Sequence, residues 1–220
     1  DGTMLRTVEI VADEAVPILG INVGHRGYLT VVEPEGMVDA LERFFSGSYE
    51  IEKRMTLRVQ IDGPASAATT TCATALNDAV VEKTQPGHTI RVRMHIGDDA
   101  FMTYAADALL VATSTGSTAY NLSARGPIIA PDVDAIVVTP VSPHMLFDRS
   151  LVLSSREMVR LEVLDGRKAA LVVDGRELGE VGEGDTILCS AGAEPARLVT
   201  FGSRHFHRIL KAKFGLAEEQ

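Results

Sequence analysis

Tryptophan is absent from the sequence, and aromatic residues together make up only 5% of it. Proteins that hold single-stranded nucleic acid stack its bases on aromatic side chains, so that class is disfavoured. Positive charge is also scarce, because 21 Lys and Arg residues stand against 30 Asp and Glu residues, a net charge of −9. A face that follows a phosphate backbone needs a basic surplus, so we expect no nucleic-acid partner. A nucleotide ligand stays compatible, since one or two local donors suffice for it.

Cysteine is limited to Cys72 and Cys189, whose spacing fits neither a metal site nor a redox motif. We expect both to be reduced core thiols in a cytoplasmic protein. No apolar run approaches the ~18 residues of a membrane span, and no secretory signal is visible, so we expect no membrane partner. The opening at Asp1 rather than at a methionine is expected of a chain that continues a longer protein.

The first 47 residues have the pattern of an α/β unit. An apolar run over residues 17–23 predicts a buried parallel strand. Helices are predicted on either side of it, because apolar residues recur there at helical spacing. The residues that define these two helical faces are Met4, Leu5, Val8, Val11, Met37, Val38, Leu41, Phe44 and Phe45.

The pattern changes after Ser48 to many short strands separated by turns. Residues 57–62 alternate apolar and polar side chains, and residues 71–83 predict one returning strand. A closing helix is predicted over residues 203–214. The expected fold is therefore a partial, Rossmann-like α/β domain (residues 1–47, with 203–216 packing back on it) followed by a β-sandwich (residues 48–202) with an inserted helix.

Residues 107–131, DALLVATSTGSTAYNLSARGPIIAP, stand out within the sandwich. A buried strand leads into small hydroxylic residues and then into a short helical pattern. Such a strand–turn–helix can offer backbone N–H groups to an anion, and small side chains let a ligand come close. The alternative is an ordinary β–α turn whose hydroxyls cap the helix. The sequence pattern alone leaves both interpretations open.

Six segments then resemble, in order, the motifs of the NAD kinases, the ATP- or polyphosphate-dependent enzymes that make NADP. They are residues 1–6 (DGTMLR), 20–29 (GINVGHRGYL), 77–78 (ND), 115–120 (TGSTAY), 126–128 (GPI) and 139–144 (TPVSPH). The family motif GGDG is represented only from its Asp onward. Milder departures from the usual family residues are Tyr28, Ala108, Ser114 and Arg125.

The resemblance implies transfer of a phosphoryl group to the adenosine 2′-hydroxyl of NAD. It assigns the role of catalytic base to Asp1, since a ribose hydroxyl is a poor nucleophile until a carboxylate accepts its proton. Gly2 and Thr3 would bind phosphate at the start of the first helix, with Gly2 also contacting NAD. His25 and Arg26 would add positive charge beside the phosphates. A solvated terminal Asp and solvated loop charges are the structural alternatives.

The same resemblance implies a set of NAD-binding residues in the sandwich. Asn77 and Asp78 would contact the adenosine and its ribose, and Asp107 the far ribose or the carboxamide. Thr118 and Ala119 would contact the adenine, with Tyr120 closing the pocket and Thr115 in the same set. The alternatives are a turn for Asn77 and Asp78, a strand-start Asp107 and a core Tyr120.

The implied cofactor is Mg²⁺ with ATP or polyphosphate, carried mainly by the phosphates, so no protein metal cage is expected. The family forms homodimers and homotetramers, which fits a sandwich with many strand edges to cover. Two other functions remain open at this point. One is an NAD(P)-binding module without catalysis, and the other is a lipid kinase of the diacylglycerol or sphingosine type, which shares the GDGT loop and a β-sandwich.

Overall fold

The computed structural model describes residues 1–12, 14–23, 29–64, 72–202 and 206–215. His25, Arg26 and Tyr28 therefore lie outside the described residues. Four helices lie within the described part: α1 (Gly2–Ile10), α2 (Met37–Phe45), α3 (Tyr120–Ser123) and α4 (Phe206–Phe214). The predicted inserted helix is only four residues long, and a 3-10 turn over Gly116–Thr118 precedes it.

Fifteen strands follow in chain order through the described part. They are β1 (Pro17–Ile18), β2 (Glu50–Arg54), β3 (Leu57–Asp62), β4 (Cys72–Ala75), β5 (Asp78–Lys83), β6 (Ile90–Ile96), β7 (Asp99–Ala106), β8 (Ala108–Thr113), β9 (Ala135–Val141), β10 (Leu151–Ser154), β11 (Val159–Val163), β12 (Ala169–Val173), β13 (Arg176–Val181), β14 (Thr186–Ala191) and β15 (Ala196–Thr200).

Two six-stranded antiparallel sheets form the sandwich, in the orders β10-β9-β8-β5-β12-β13 and β4-β3-β14-β11-β6-β7. Alternation along β3 buries Leu57, Val59 and Ile61 and turns the intervening residues outward, as the sequence predicted. The buried side chains of both sheets meet in one large core, which includes Met94, Tyr104 and many aliphatic residues. The expected α/β plus β-sandwich architecture is confirmed.

A third sheet of three strands, β1-β15-β2, belongs to the α/β part. β1 pairs with β15 in parallel, and β15 pairs with β2 antiparallel. Met4 and Val8 of α1 pack with Leu76 and Leu198 in a second core. Strands β2 and β15 are therefore members of this sheet, although both lie within residues 48–202. Leu76 connects that core to the sandwich.

The single strand predicted over residues 71–83 is wrong. The chain forms β4 and β5 there, and these two strands belong to different sheets. Leu76 and Asn77 make the crossing between them. The physical reason is that the chain passes here from β4, at the edge of one sheet, to β5, an inner strand of the other, so Asn77 stands at the crossing rather than inside a strand.

Cysteine burial agrees with the prediction at only one position. Both thiols are unbridged, but Cys189 is buried whereas Cys72 is exposed at the start of β4. Burial raises the pKa of the Cys189 thiol to about 12, which keeps it protonated and inert. Within the described residues, no helix is long and apolar enough to cross a membrane.

Candidate functional site

A cavity of about 300 Å³ opens where the α/β part meets one end of the sandwich. Five of the residues predicted from the sequence line it: Asp1, Asn77, Thr115, Thr118 and Ala119. They come from the start of α1, the β4–β5 crossing and the turn after β8. The remaining lining residues are Leu29, Arg54, Ser114, Pro131, Phe206 and Ile209. The fold therefore gathers residues that are far apart in the sequence around one hollow.

Close packing fixes the turn after β8 against the β4–β5 crossing. A Cβ atom on Gly116 would lie 2.0 Å from the carbonyl oxygen of Asn77, so only glycine fits there. The Asn77 carbonyl also accepts a hydrogen bond from the amide of Thr113 at 2.8 Å. The Thr113 hydroxyl donates to the carbonyl of Leu76 at 2.5 Å. The turn and the crossing are thus held together as one wall of the cavity.

Three backbone amides of this turn donate hydrogen bonds within the protein. The amide of Gly116 donates to the Thr113 hydroxyl, that of Ser117 to the carbonyl of Ser114, and that of Ala119 to the carbonyl of Gly116. The Ser117 hydroxyl donates to the carbonyl of Ser114 at 2.6 Å. These three amides are therefore engaged within the protein. The side chains of Thr115 and Thr118 line the cavity beside them.

Asp174 holds the β4–β5 crossing from the β12–β13 hairpin. Its carboxylate accepts hydrogen bonds from three consecutive amides, those of Leu76 (2.7 Å), Asn77 (2.8 Å) and Asp78 (3.1 Å). Asp174 itself has a positive φ of 48°, a conformation that Asp tolerates better than most residues. Burial raises its pKa, and the three amide hydrogen bonds oppose that rise. The carboxylate thus takes the place of the carbonyl groups of a neighbouring strand as the hydrogen-bond acceptor for these three amides.

Asp78, the first residue of β5, is only 5% exposed. Burial, and then the negative charge of Asp174, raise its pKa from 3.8 to about 7. The ionised form of this side chain is therefore disfavoured in the folded protein, although Asp78 does not itself line the cavity wall. Its protonation state changes close to neutral pH, next to residues that do line it.

We expect the folded protein to lose stability as the pH rises from 5 to 8. The pKa of Asp78 is higher in the folded state than in the unfolded state, so between roughly pH 4 and 7 only the folded state keeps this carboxyl protonated. The free energy of unfolding therefore falls as the pH rises through that window, and it levels off above it. The loss from this group is about 2 kcal/mol between pH 5 and 7. Urea unfolding at pH 5 and 8 measures it, and Asp78→Asn should remove most of the difference. An equal pH dependence in Asp78→Asn would contradict the assignment.

Asp1 and Arg54 supply the charged groups of the cavity. Asp1 occupies the N-cap position of α1, and its Oδ1 accepts a hydrogen bond from the amide of Leu29 at 3.2 Å. Arg54, at the end of β2, is 8% exposed, and its guanidinium contacts Glu52 and the Thr115 hydroxyl. Of the described lining residues, Asp1 alone is acidic and Arg54 alone is basic. The described lining of the cavity thus carries one negatively charged and one positively charged side chain.

Some predicted residues lie away from the cavity. Asp107 precedes β8 at the end opposite to the turn, roughly 20 Å from Thr113 at ~3.3 Å per strand residue, and it pairs with Lys83 at 2.7 Å. Tyr120, the first residue of α3, is 40% exposed. Burial, and then the charges of Glu82, Asp107 and Asp78, raise the pKa of Tyr120. Asp107 and Tyr120 therefore share an electrostatic environment outside the cavity of this chain.

The two residues predicted for phosphate at α1 are exposed at the first turn of the helix. Gly2 lines a neighbouring hollow of about 200 Å³ with Arg6, Asp174 and Arg176. The carbonyl of Thr3 accepts a hydrogen bond from the Thr7 hydroxyl at 2.8 Å. The predicted loop partners His25 and Arg26 lie outside the described residues, so their placement in the site stays a prediction.

The site residues that sequence reasoning missed include Arg54, Asp174, Phe206 and Ile209. Asp174 stands before Gly175, a pair that signals a turn without revealing the amides that the carboxylate reaches. Arg54 carries no local signal, because its partner Thr115 lies 61 residues later. Phe206 and Ile209 are three residues apart in the closing helix, a spacing that places both on one apolar face, and both line the cavity.

Comparison with known proteins agrees with this arrangement. Residues 1–49 match the family model of the ATP-NAD kinase N-terminal domain, and residues 76–201 match that of the C-terminal domain. The NAD kinase of Heliobacterium modesticaldum is 42% identical over 97% of this chain and 75% of its own length. The NAD kinase of Moorella thermoacetica is 39% identical over 97% of this chain and 68% of its own length.

Solved structures give the same result. The structure of yeast NADH kinase complexed with NADH is similar over 100% of this chain and 65% of its own, with 26% identity and a TM-score of 0.92. An NAD kinase from Archaeoglobus fulgidus in complex with ATP covers 99% of this chain and 80% of its own, with 27% identity and a TM-score of 0.78. From the two family models, the identities and the shared fold, the chain belongs to the NAD kinase family.

Proposed function

We propose that this protein is an NAD kinase that transfers a phosphoryl group from ATP or polyphosphate to the adenosine 2′-hydroxyl of NAD, forming NADP. The observation that carries the proposal is the cavity, which gathers Asp1 with Asn77, Thr115, Thr118 and Ala119. A carboxylate at one wall and small polar side chains at the other suit a ribose hydroxyl and its adenosine. Membership of the family supports the same reaction.

Asp1 is the proposed general base. In the transfer, the 2′-oxygen of the ribose forms a bond to the terminal phosphorus of the donor, and the bond from that phosphorus to its bridging oxygen breaks. The hydroxyl proton passes to the Asp1 carboxylate. The leaving group, ADP or the shortened polyphosphate, keeps the bridging oxygen. The hydrogen bond from the Leu29 amide holds the Asp1 carboxylate at the cavity wall.

Binding of the dinucleotide is assigned to the opposite wall. Asn77 can present both a donor and an acceptor to adenosine, and its position is fixed by Asp174 and Gly116. Thr118 and Ala119 line the same wall. Asp78, the next residue after Asn77, is proposed to bind the same part of NAD. The proposed phosphate-binding residues are Gly2, Thr3, His25 and Arg26.

The residues that line the cavity fit a Mg²⁺ ion that binds together with the phosphates of the donor. Among the described residues there is no cluster of three or more acidic, His or Cys side chains that could hold a metal ion. Mg²⁺ is commonly held by one or two carboxylates together with substrate phosphates, and Asp1 is the carboxylate at the cavity wall. Bound with the donor, Mg²⁺ would neutralise charge on the transferred phosphates.

A homo-oligomer is proposed as the working form. Large apolar side chains are exposed around α3 and the edge strand β10, namely Tyr120, Ile128, Val133, Leu146 and Val152. Exposed apolar patches and open strand edges favour association between copies. Asp107 and Tyr120, which the single chain leaves outside its cavity, would then contact NAD across a subunit boundary. We also propose a cytoplasmic location and a division into an α/β part (residues 1–47 and 203–216) and a sandwich (residues 48–202), of which strands β2 and β15 complete the sheet of the α/β part.

Incubation of the protein with NAD, ATP and Mg²⁺ should yield NADP, measured with an NADP-specific dehydrogenase. Polyphosphate in place of ATP tests the second donor. Titration calorimetry with NAD, run in parallel, distinguishes the alternatives. NAD binding without turnover with either donor would identify a binding module, and the absence of both binding and turnover would overturn the proposed function.

A further inference from the structure

Arg54 is the cation of the cavity wall, and it lies at the end of β2 in the three-stranded sheet. It is 8% exposed, so its charge has little access to water. A charged side chain is retained at such a position only when it is paired. Glu52, two residues earlier on the same strand, provides the pairing.

The pairing leaves one guanidinium nitrogen directed at the cavity wall. Oε1 of Glu52 accepts from Nε of Arg54 at 3.0 Å and contacts Nη2 at 2.7 Å. Nη1 of Arg54 donates to Oγ1 of Thr115 at 3.3 Å. Because a guanidinium is planar and rigid, the contacts with Glu52 fix the direction of Nη1. The orientation of the Thr115 hydroxyl is therefore constrained by Arg54.

The Thr115 hydroxyl must act as the acceptor in this contact, since arginine has donors only. Its own proton is then left to point elsewhere. Among the described residues, the Thr115 hydroxyl accepts a hydrogen bond from Arg54 and donates none. The Thr118 hydroxyl donates to the backbone carbonyl of Thr115, not to its side chain. The Thr115 side chain lines the cavity. The hydroxyl proton is thereby directed to a ligand atom that accepts a hydrogen bond.

We infer that Arg54 is a positioning residue that orients the Thr115 hydroxyl as a hydrogen-bond donor to NAD. The inference rests on the proposed function for the identity of the ligand. The acceptor on the ligand is either an atom of the adenosine half or a phosphate oxygen, and both classes take an O–H donor equally well. Arg54 acts through Thr115 and needs no contact of its own with the ligand.

A double-mutant cycle tests the coupling between these two side chains. Thr115→Val removes the hydroxyl at nearly constant shape and should raise KM for NAD about 10-fold, with kcat changed less than threefold, because a uniform binding interaction is lost. Arg54→Met should raise KM by a similar factor in the wild-type background. In the Thr115→Val background, Arg54→Met should raise KM less than threefold further. Thr115→Ser, which keeps the hydroxyl, should restore KM to within threefold of wild type.

The matched control is Arg197→Met, which removes another paired arginine from the same three-stranded sheet, where Arg197 contacts Glu194 at 3.4 Å. It should leave KM within twofold of wild type. Thermal unfolding of each variant identifies folding defects, and Arg54→Leu replaces Arg54→Met in the cycle if the latter does not fold. KM effects of Arg54 and Thr115 that multiply in the double mutant would overturn the inference. So would an unchanged KM in Thr115→Val.

Competition with adenosine distinguishes the two acceptor classes. If the acceptor lies on the adenosine half, Thr115→Val weakens adenosine and NAD binding by similar factors. If it is a phosphate oxygen, Thr115→Val weakens NAD alone. Either result supports the inference, whereas undiminished binding of both ligands contradicts it. Wild-type protein that neither binds NAD nor forms NADP would instead refute the proposed function, and that outcome is measured before any variant is made.

Discussion

Asp1→Asn should reduce kcat for NADP formation by about 10²–10⁴-fold, the usual contribution of a general base. The Asn side chain is close in size to Asp, and its carbonyl oxygen can still accept the hydrogen bond that Leu29 donates to Asp1. The cavity wall should therefore keep its shape, while the group that accepts the ribose proton is lost. KM for NAD should change less than about threefold, since the interaction removed develops mainly in the transition state.

The measurement is steady-state NADP formation at saturating ATP and Mg²⁺, compared with thermal unfolding of the same samples. Asp99→Asn is the control, because Asp99 is an exposed carboxylate at the start of β7, away from the cavity lining. It should leave kcat within twofold of wild type. A kcat for Asp1→Asn within threefold of wild type would exclude Asp1 as the base.

Local patterns were sufficient to predict much of the sandwich. Alternation at Leu57, Val59 and Ile61 gave both the strand and its buried face, because one side of β3 meets the core and the other meets water. Motif order located the cavity residues Asp1, Asn77 and Thr118. These features depend on neighbours in sequence or on short segments, which is why they could be read before the fold was known.

Features that depend on distant residues could not be predicted in this way. The run from Ala75 to Val81 is apolar apart from Asn77 and Asp78, and it contains no Gly or Pro to mark a break between strands. The break depends on Asp174, whose contact with the Leu76 amide spans 98 residues. The pairing of β1 with β15 likewise joins the two ends of the described chain.

Asp174→Ala should destabilise the protein by about 3–5 kcal/mol. It removes the acceptor of three amides at the β4–β5 crossing, and each amide left without a partner costs roughly 1–3 kcal/mol, less where water can enter. The positive φ at this position adds a cost for alanine that Asp avoids. Because the same carboxylate fixes Asn77, KM for NAD should rise by at least about 10-fold if Asn77 contacts the dinucleotide.

Asp174→Asn separates the backbone cost from the loss of the carboxylate, since Asn tolerates the same φ. The control is Asp185→Asn, at the opposite end of the sandwich beside β14. Asp185 is also buried, and its carboxylate accepts from the amide of Gly182 at 2.9 Å. Urea unfolding should show that both Asn variants lose stability, while only Asp174→Asn raises KM for NAD. If the two variants lose stability alike and neither changes KM, Asp174 stabilises the crossing without positioning Asn77 for the ligand.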